Sequence, residues 1–282
     1  MKPPPFDYHA PTSVREAVEV LAEVGAHGKV LAGGQSLIPL LNMRLAAPAH
    51  LVDINRVAGL GEIQTDATGV RVGALARHAQ VERSAAACLA QPLLRQALKL
   101  VAHPVIRNRG TIVGSLVHAD PSAELPAVLA LLGGSVRLAA ATGEREVAAA
   151  DFFTGPMESA TRPGELAVSA FFPAWDGGTS FIEVARRHGD YAMAGVAAAV
   201  RLDDLRITAA KVVCVSVGPV PVVVEVTGEC GNRPVASVDW RAVVAAVQDR
   251  IEPEADIHAT ADYRRHLTGV LVERALKAAA DA

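Results

Sequence analysis

Lys29-Val30-Leu31-Ala32-Gly33-Gly34-Gln35-Ser36-Leu37-Ile38-Pro39 reads as a short strand running into a glycine turn and out into a helix. The strand is Lys29 to Ala32. The helix is signalled by Leu37, Leu40, Leu41 and Leu45 at helical spacing, with Pro48 closing it. Gly33 and Gly34 tolerate positive φ and let the backbone come close to a ligand. Gln35 and Ser36 add side-chain donors, and a helix opening near Ser36 points its positive end at an anion. The same stretch also fits a plain strand–turn–helix connection. Upstream, residues 12–25 form a helix capped by Thr12 or Ser13, with Glu16 three residues after Ser13 and Val14, Ala17, Val18 and Leu21 on one face. Leu51-Val52-Asp53-Ile54 is a second strand. Residues 1–55 thus make a small βαβ-like lobe.

A second glycine loop, Arg109-Gly110-Thr111-Ile112-Val113-Gly114-Ser115-Leu116, runs on into His118-Ala119-Asp120-Pro121-Ser122-Ala123-Glu124. Thr111, Gly114 and Ser115 interrupt an apolar run of β type, and polar groups in such a run need partners. Phosphate oxygens and the neighbouring backbone serve equally well. Two such loops facing one another suit a pyrophosphate, which makes a dinucleotide the leading ligand. Asp120 and Glu124 stand at the head of a helix expected to start near Pro121, as helix-capping carboxylates or as acceptors for ribose hydroxyls. His118 reads as an ordinary loop histidine. Arg186-Arg187-His188-Gly189-Asp190-Tyr191 is either a solvated turn or a loop whose tyrosine covers a flat ring.

Between and beyond these loops, Leu60 to Leu75 reads as strands. Residues 78–102 read as two helices, His78 to Ala87 and Pro92 to Val101. Leu125 to Leu132 is a short apolar helix, and Ser135–Ala139 with Arg145–Val147 is a hairpin. Ala167 to Phe172 is a further strand. Trp175-Asp176-Gly177-Gly178 marks a boundary. Three strands follow, at 180–185, 195–202 and 209–217, then helices at 240–250 and 262–280. The class is α+β, divided as 1–55, 56–175 and 176–282.

The chain has 282 residues, 51% of them hydrophobic, and a formal net charge of −3. Without a Lys/Arg-rich run, no nucleic acid partner is expected. No segment has the length and apolarity of a signal peptide or membrane span, so a cytoplasmic location is expected. Cys88, Cys214 and Cys230 have no partner at metal-ligand spacing. No Ser/His/Asp or Cys/His constellation is evident, which suits a chain whose cofactor does the redox chemistry.

These motifs resemble a known family. Ala32-Gly33-Gly34-Gln35-Ser36-Leu37-Ile38-Pro39 with Val52-Asp53-Ile54-Asn55, the second loop through Pro126, Val184–Tyr191, and Asp256–Leu267 are together similar to the FAD-binding medium subunit of molybdenum hydroxylases. That group includes the carbon monoxide dehydrogenase medium subunit and the flavin domain of xanthine dehydrogenase. The resemblance implies a PCMH-type FAD-binding domain of two α/β lobes plus a C-terminal antiparallel sheet with helices. It implies that Lys29, Val30, Leu31, Ala32, Gly33, Gly34, Gln35 and Ser36, with Thr111, Val113, Gly114 and Ser115, cradle the pyrophosphate. Val101 and Val168 would also contact the cofactor, Glu124 would lie on its ribose or adenine side, and Tyr191 near the isoalloxazine ring. It further implies partner chains that carry the other cofactors: a small subunit with 2Fe-2S clusters and a large subunit with the molybdopterin cofactor, assembled as a dimer of heterotrimers. Electrons would reach FAD from the clusters and leave to an external acceptor.

Two departures stand out: Val113 replaces a glycine usual in the family, and Glu183 stands where several members have Lys near the flavin. A Glu183 carboxylate facing the ring would lower its potential. Two other readings stand beside this one: a flavin oxidoreductase acting alone, and a nucleotide-binding module without redox turnover.

Overall fold

Three parallel strands in the order β1-β3-β2 open the chain, built from β1 (Asp7–His9), α1 (Val14–Val24), β2 (Gly28–Leu31), α2 (Leu37–Asn42) and β3 (His50–Asp53). The computed structural model describes residues 2–282. Ser13 Oγ accepts the Glu16 amide and Glu16 reaches back to the Thr12 amide at 2.7 Å, so both hydroxyl residues serve the cap of α1. Ala17, Val18 and Leu21 are its buried face. β1 carries no alternating signal because it is an exposed edge, held only by its register with β3. The helix expected to reach Leu45 stops at Asn42. Arg44 has φ 60°, Leu45 is exposed, and Leu41 alone is buried.

The middle of the chain forms a five-stranded antiparallel sheet with its helices packed against it. In chain order the elements are β4 (Ile63–Asp66), β5 (Gly69–Gly73), α3 (His78–Arg83), α4 (Ala85–Ala90), α5 (Pro92–Leu100), α6 (Pro104–Arg107), α7 (Ile112–His118), α8 (Glu124–Leu132), β6 (Ser135–Ala140), β7 (Gly143–Ala148), α9 (Ala149–Phe152), β8 (Phe153–Gly155), β9 (Glu158–Ser159) and β10 (Leu166–Pro173). The sheet order is β4-β5-β10-β6-β7, with β8 and β9 a separate hairpin.

Three expectations need correction here. The run Ile112–Val117 is a helix, because Thr111 Oγ1 accepts the Gly114 amide at 3.1 Å and caps it. Ile112, Val113 and Leu116 then bury at helical spacing. Residues 78–102 form three helices rather than two. Ser84 ends α3 and caps α4, and the buried Gln91 caps α5 while donating to the Pro173 carbonyl at 2.7 Å. The helix expected near Pro121 begins at Glu124, since Asp120 holds residues 120–123 in a turn through the Ser122 and Ala123 amides.

The last part is a four-stranded antiparallel meander, β11 (Gly178–Val184), β12 (Ala194–Asp203), β13 (Arg206–Val215) and β14 (Val222–Glu225), followed by α10 (Thr227–Cys230), α11 (Trp240–Gln248) and α12 (Ala261–Ala280). β12 is buried over residues 194–200 because both of its faces are covered. Val196, Ala198 and Val200 meet Leu271, Val272, Ala275 and Leu276 of α12, while Ala197 and Ala199 join Phe181 and the core of the middle part. No described helix is long and apolar enough to cross a membrane.

A candidate cofactor cleft

The two glycine turns meet. A Cβ on Gly33 would lie 2.4 Å from the Arg109 carbonyl oxygen and 2.9 Å from the Gly110 Cα, so only a glycine allows this approach. Gly34, at φ +74°, turns the chain into α2. The junction is tied from behind. The Asn55 side-chain amide donates to the Ala32 carbonyl at 2.8 Å. Arg77 then donates to Asn55 Oδ1 and, with its other terminal nitrogen, to the Arg109 carbonyl, both at 2.5 Å. Asp53 orients Asn55 by accepting its amide N–H at 2.9 Å, and Tyr8 donates to the second Asp53 oxygen at 2.5 Å. Burial pushes the Asp53 carboxyl up, but the Tyr8 and Asn55 hydrogen bonds outweigh it and leave the group below its ordinary value.

In front of the junction opens a cleft of about 810 Å³. Of the residues expected at a ligand, Lys29, Val30, Ala32, Gly33, Gly34, Gln35 and Ser36 line it from the first lobe. Val101, Thr111, Val113, Gly114, Ser115 and Glu124 line it from the middle, and Tyr191 from the last part. Leu31 faces a smaller recess of about 370 Å³ behind the first turn, together with Asp53, Asn55 and Arg109. Val168 is not on the cleft wall. It is buried in β10, where its carbonyl accepts the Ala74 amide.

The third wall comes from the C-terminal part. Arg264, 6% exposed, donates to the Met193 carbonyl at 2.6 Å, to the Ser216 carbonyl at 3.3 Å and to Asp256 at 2.6 Å. These bonds hold the segment that carries Tyr191, whose ring is 72% exposed at the cleft rim. Gly189 packs on the neighbouring wall, where a Cβ would come 2.7 Å from the His103 ring. Asp256, His258 and Arg264 fall within the C-terminal stretch that carried the resemblance, but nothing in their local sequence marks them as wall residues. His118 also lines the cleft, and burial holds its pKa below the ordinary value. His78 is on the wall too, and its sequence context of an ordinary helix start gave no signal.

The cleft is electrically uneven. Burial, with Glu183 and Asp120 beside it, pushes the Glu124 carboxyl up to about 8. Burial alone pushes Glu183 up to about 7. Glu183 Oε2 is buried without a hydrogen-bond partner, and Glu183 does not line the cleft. Glu183 thus lies off the cleft wall, and it and Glu124 hold their protons to higher pH than a free glutamate. Val113, the second residue of α7, lines the cleft but is only 2% exposed and belongs to the hydrophobic core.

Backbone amides at a glycine junction, long apolar walls and a carboxyl at one end suit an extended ligand with an anionic centre. Comparison with known proteins agrees. Residues 4–175 match the family described as the FAD binding domain in molybdopterin dehydrogenase, and residues 179–279 match the CO dehydrogenase flavoprotein C-terminal domain. The chain is 40% identical to the 6-hydroxypseudooxynicotine dehydrogenase complex subunit alpha of Paenarthrobacter nicotinovorans, covering 98% of this chain and 95% of that one. It is 36% identical to the carbon monoxide dehydrogenase medium chain of Hydrogenophaga pseudoflava, covering 99% and 98%. The crystal structure of quinoline 2-oxidoreductase from Pseudomonas putida 86 superposes with a TM-score of 0.94 at 34% identity, over 100% of this chain and 99% of that one. With both halves matched in order, the chain belongs to the FAD-binding subunits of the molybdenum hydroxylase dehydrogenases.

Proposed function

We propose that this chain is the electron-transfer subunit of a heterotrimeric molybdenum hydroxylase, working with a 2Fe-2S small subunit and a molybdopterin-binding large subunit as a cytoplasmic dimer of heterotrimers. Electrons released by substrate hydroxylation on the large subunit pass through the clusters to this subunit and on to an external acceptor. Substrate choice then belongs to the large subunit. Among the relatives, one is named for an N-heterocyclic alkaloid derivative and another for carbon monoxide, on chains of the same length and plan. The observation that carries the reading is the contact of Gly33 with Arg109 and Gly110, which brings the two turns together at the head of the cleft.

The residues fit FAD. A volume of about 810 Å³ lies in the upper part of the range usual for ligand sites, as a dinucleotide requires. The cradle exists only because Gly33 and Gly114 lack Cβ atoms, since one on Gly114 would crowd the Thr111 hydroxyl at 2.5 Å. Bound FAD supplies the exchange between paired and single electrons. For its part the chain binds the diphosphate through Lys29 to Ser36 and Thr111 to Ser115. It presents Glu124 as a hydrogen-bond donor at neutral pH to the ribose or adenine end, and offers the exposed Tyr191 ring as a cover for the isoalloxazine.

The test is purification of the complex from its native host, followed by a visible spectrum. We expect two further chains in the complex, flavin absorbance near 450 nm (about one FAD per chain, by the cofactor logic), and bleaching when the substrate that the large subunit oxidises is added in its reduced form. In the Gly33→Leu variant the flavin should be lost. A chain that purifies alone and oxidises an organic substrate unaided overturns the subunit reading; a colourless chain that ignores added FAD overturns the cofactor.

A further inference from the structure

His78 is the first residue of α3 and only 5% exposed, yet its ring is on the cleft wall. Both ring nitrogens are buried, and neither has a hydrogen-bond partner among the described residues. A buried imidazole left unpaired is destabilising unless something else pairs with it. Its position is specific. The His78 amide donates to the Gly110 carbonyl at 3.0 Å, and the Nδ1–Cε1 edge of the ring lies 3.1 Å from where a Cβ on Gly110 would be. Gly110 is also the residue that Gly33 touches across the junction. The imidazole therefore packs against Gly110, beside the point where the two turns meet, on the wall of the cleft.

The surroundings select the kind of ligand. Arg77 and Arg107 are the charged groups that act on His78, and no carboxylate is among them. Arg107 is held by Glu82 at 3.0 Å and by the Val101 carbonyl at 2.9 Å, so its guanidinium is fixed in place. Glu124, elsewhere on the wall, feels Glu183 and Asp120 instead, and His118 feels both Asp120 and Lys29. His78 thus has arginines and no carboxylate acting on it, whereas Glu124 has carboxylates beside it. Burial, with the two arginines adding to it and a Thr111 backbone contact opposing it, pushes the His78 pKa down to about 4. The ring is neutral, and its N–H is engaged by no acceptor at hydrogen-bond geometry among the described residues.

We infer that the His78 imidazole donates a hydrogen bond to the diphosphate of the bound dinucleotide, as a binding residue on the cleft wall beside the two glycine turns. The inference rests on the FAD reading above and adds to it a side chain outside both loop motifs. A neutral donor suits this place, since three arginines already crowd the junction and a further fixed cation would repel them.

The test uses the full chain, labelled on its histidine rings and stripped of flavin, titrated in turn with FAD, ADP and riboflavin. The His78 ring signals are assigned by their absence from the His78→Gln spectrum. FAD and ADP, which carry the diphosphate, should both move these signals, and riboflavin should not. His78→Leu should weaken FAD and ADP binding about 10- to 100-fold, the range for a hydrogen bond to a charged group, with riboflavin affinity within about twofold. His78→Gln keeps a donor and should recover part of the loss. Near-UV circular dichroism of both variants reports whether they fold. If wild-type His78 signals stay put while FAD binds, or the Leu variant loses riboflavin as much as ADP, the inference fails and the FAD reading stands. If the wild-type chain binds neither FAD nor ADP, the cofactor reading itself has failed.

Discussion

Glu183 and Glu124 show how single residues set the pH behaviour of the chain. Their carboxyls are pushed up to about 7 and about 8, chiefly by burial. In the unfolded chain both return to ordinary glutamate values near 4.5. Between those limits the folded protein holds more protons than the unfolded chain, so stability falls as pH rises from about 4.5 to about 8. Glu183→Gln removes one of the two groups. It should raise the stability measured by urea unfolding at pH 9 by on the order of 2 kcal/mol and change it little at pH 5. An equal effect at both values would show that Glu183 is not a buried, proton-holding group. The carboxylates were legible as residues of interest, but their protonation was not, because it depends on burial between parts of the chain far apart in sequence. His78 was missed for the same reason. Nothing local distinguishes it from any helix-opening histidine, and only the fold brings it against Gly110.

At the scale of elements, the staple of Arg77 between Asn55 and Arg109 decides how firmly the first strand–turn–helix unit is held to α7. Arg77→Ala should lower stability by on the order of 2–3 kcal/mol, as lost hydrogen bonds from a charged donor do, and weaken FAD binding in a fluorescence titration. Arg77→Lys should rescue neither, because a single ammonium cannot span two acceptors as the guanidinium fork does. Wild-type stability and FAD affinity in the Lys variant would remove the staple from the argument. Most helices and the main strands could be read from periodicity, and the cap at Ser13 lies where a hydroxyl precedes the helix face of Val14, Ala17, Val18 and Leu21. The exceptions have local causes. The run after Thr111 has β-type composition but takes helical form once its cap and Gly114 are engaged. β14 lies between Pro221 and a short helix and carries too few residues to alternate. The Gly/Ala-rich β12 is a strand because its neighbours leave room only for small side chains: a Cβ on Gly195 would press on Val215 at 2.7 Å.

Across the whole molecule, three separate parts of the chain supply the walls of one cleft. The junction between the middle and last parts is marked by Trp175, with the Arg201 and Lys211 side chains over its indole at 4.9 and 4.7 Å. A ligand that touches all three parts stabilises their arrangement by mass action. At a free concentration about a hundred times Kd the gain is about 2.7 kcal/mol, so stripping FAD should lower the unfolding temperature in calorimetry by roughly 5–10 °C. An unchanged transition would mean that the parts hold together without the ligand. The sequence pattern outlined the two glycine loops, but the outer wall of Asp256, His258 and Arg264 was legible only as part of a resemblance, since its role comes from long-range bonds.

Those bonds have a consequence for the order of assembly in the cell. The Ser216 amide donates to the Pro121 carbonyl, and Arg264 of α12 clasps both Ser216 and the Tyr191 segment. During synthesis both glycine turns leave the ribosome well before this clasp exists. A nascent chain that stops short of α12 has both turns but not the bonds that hold the third wall, so full enclosure of the flavin waits for the last helix.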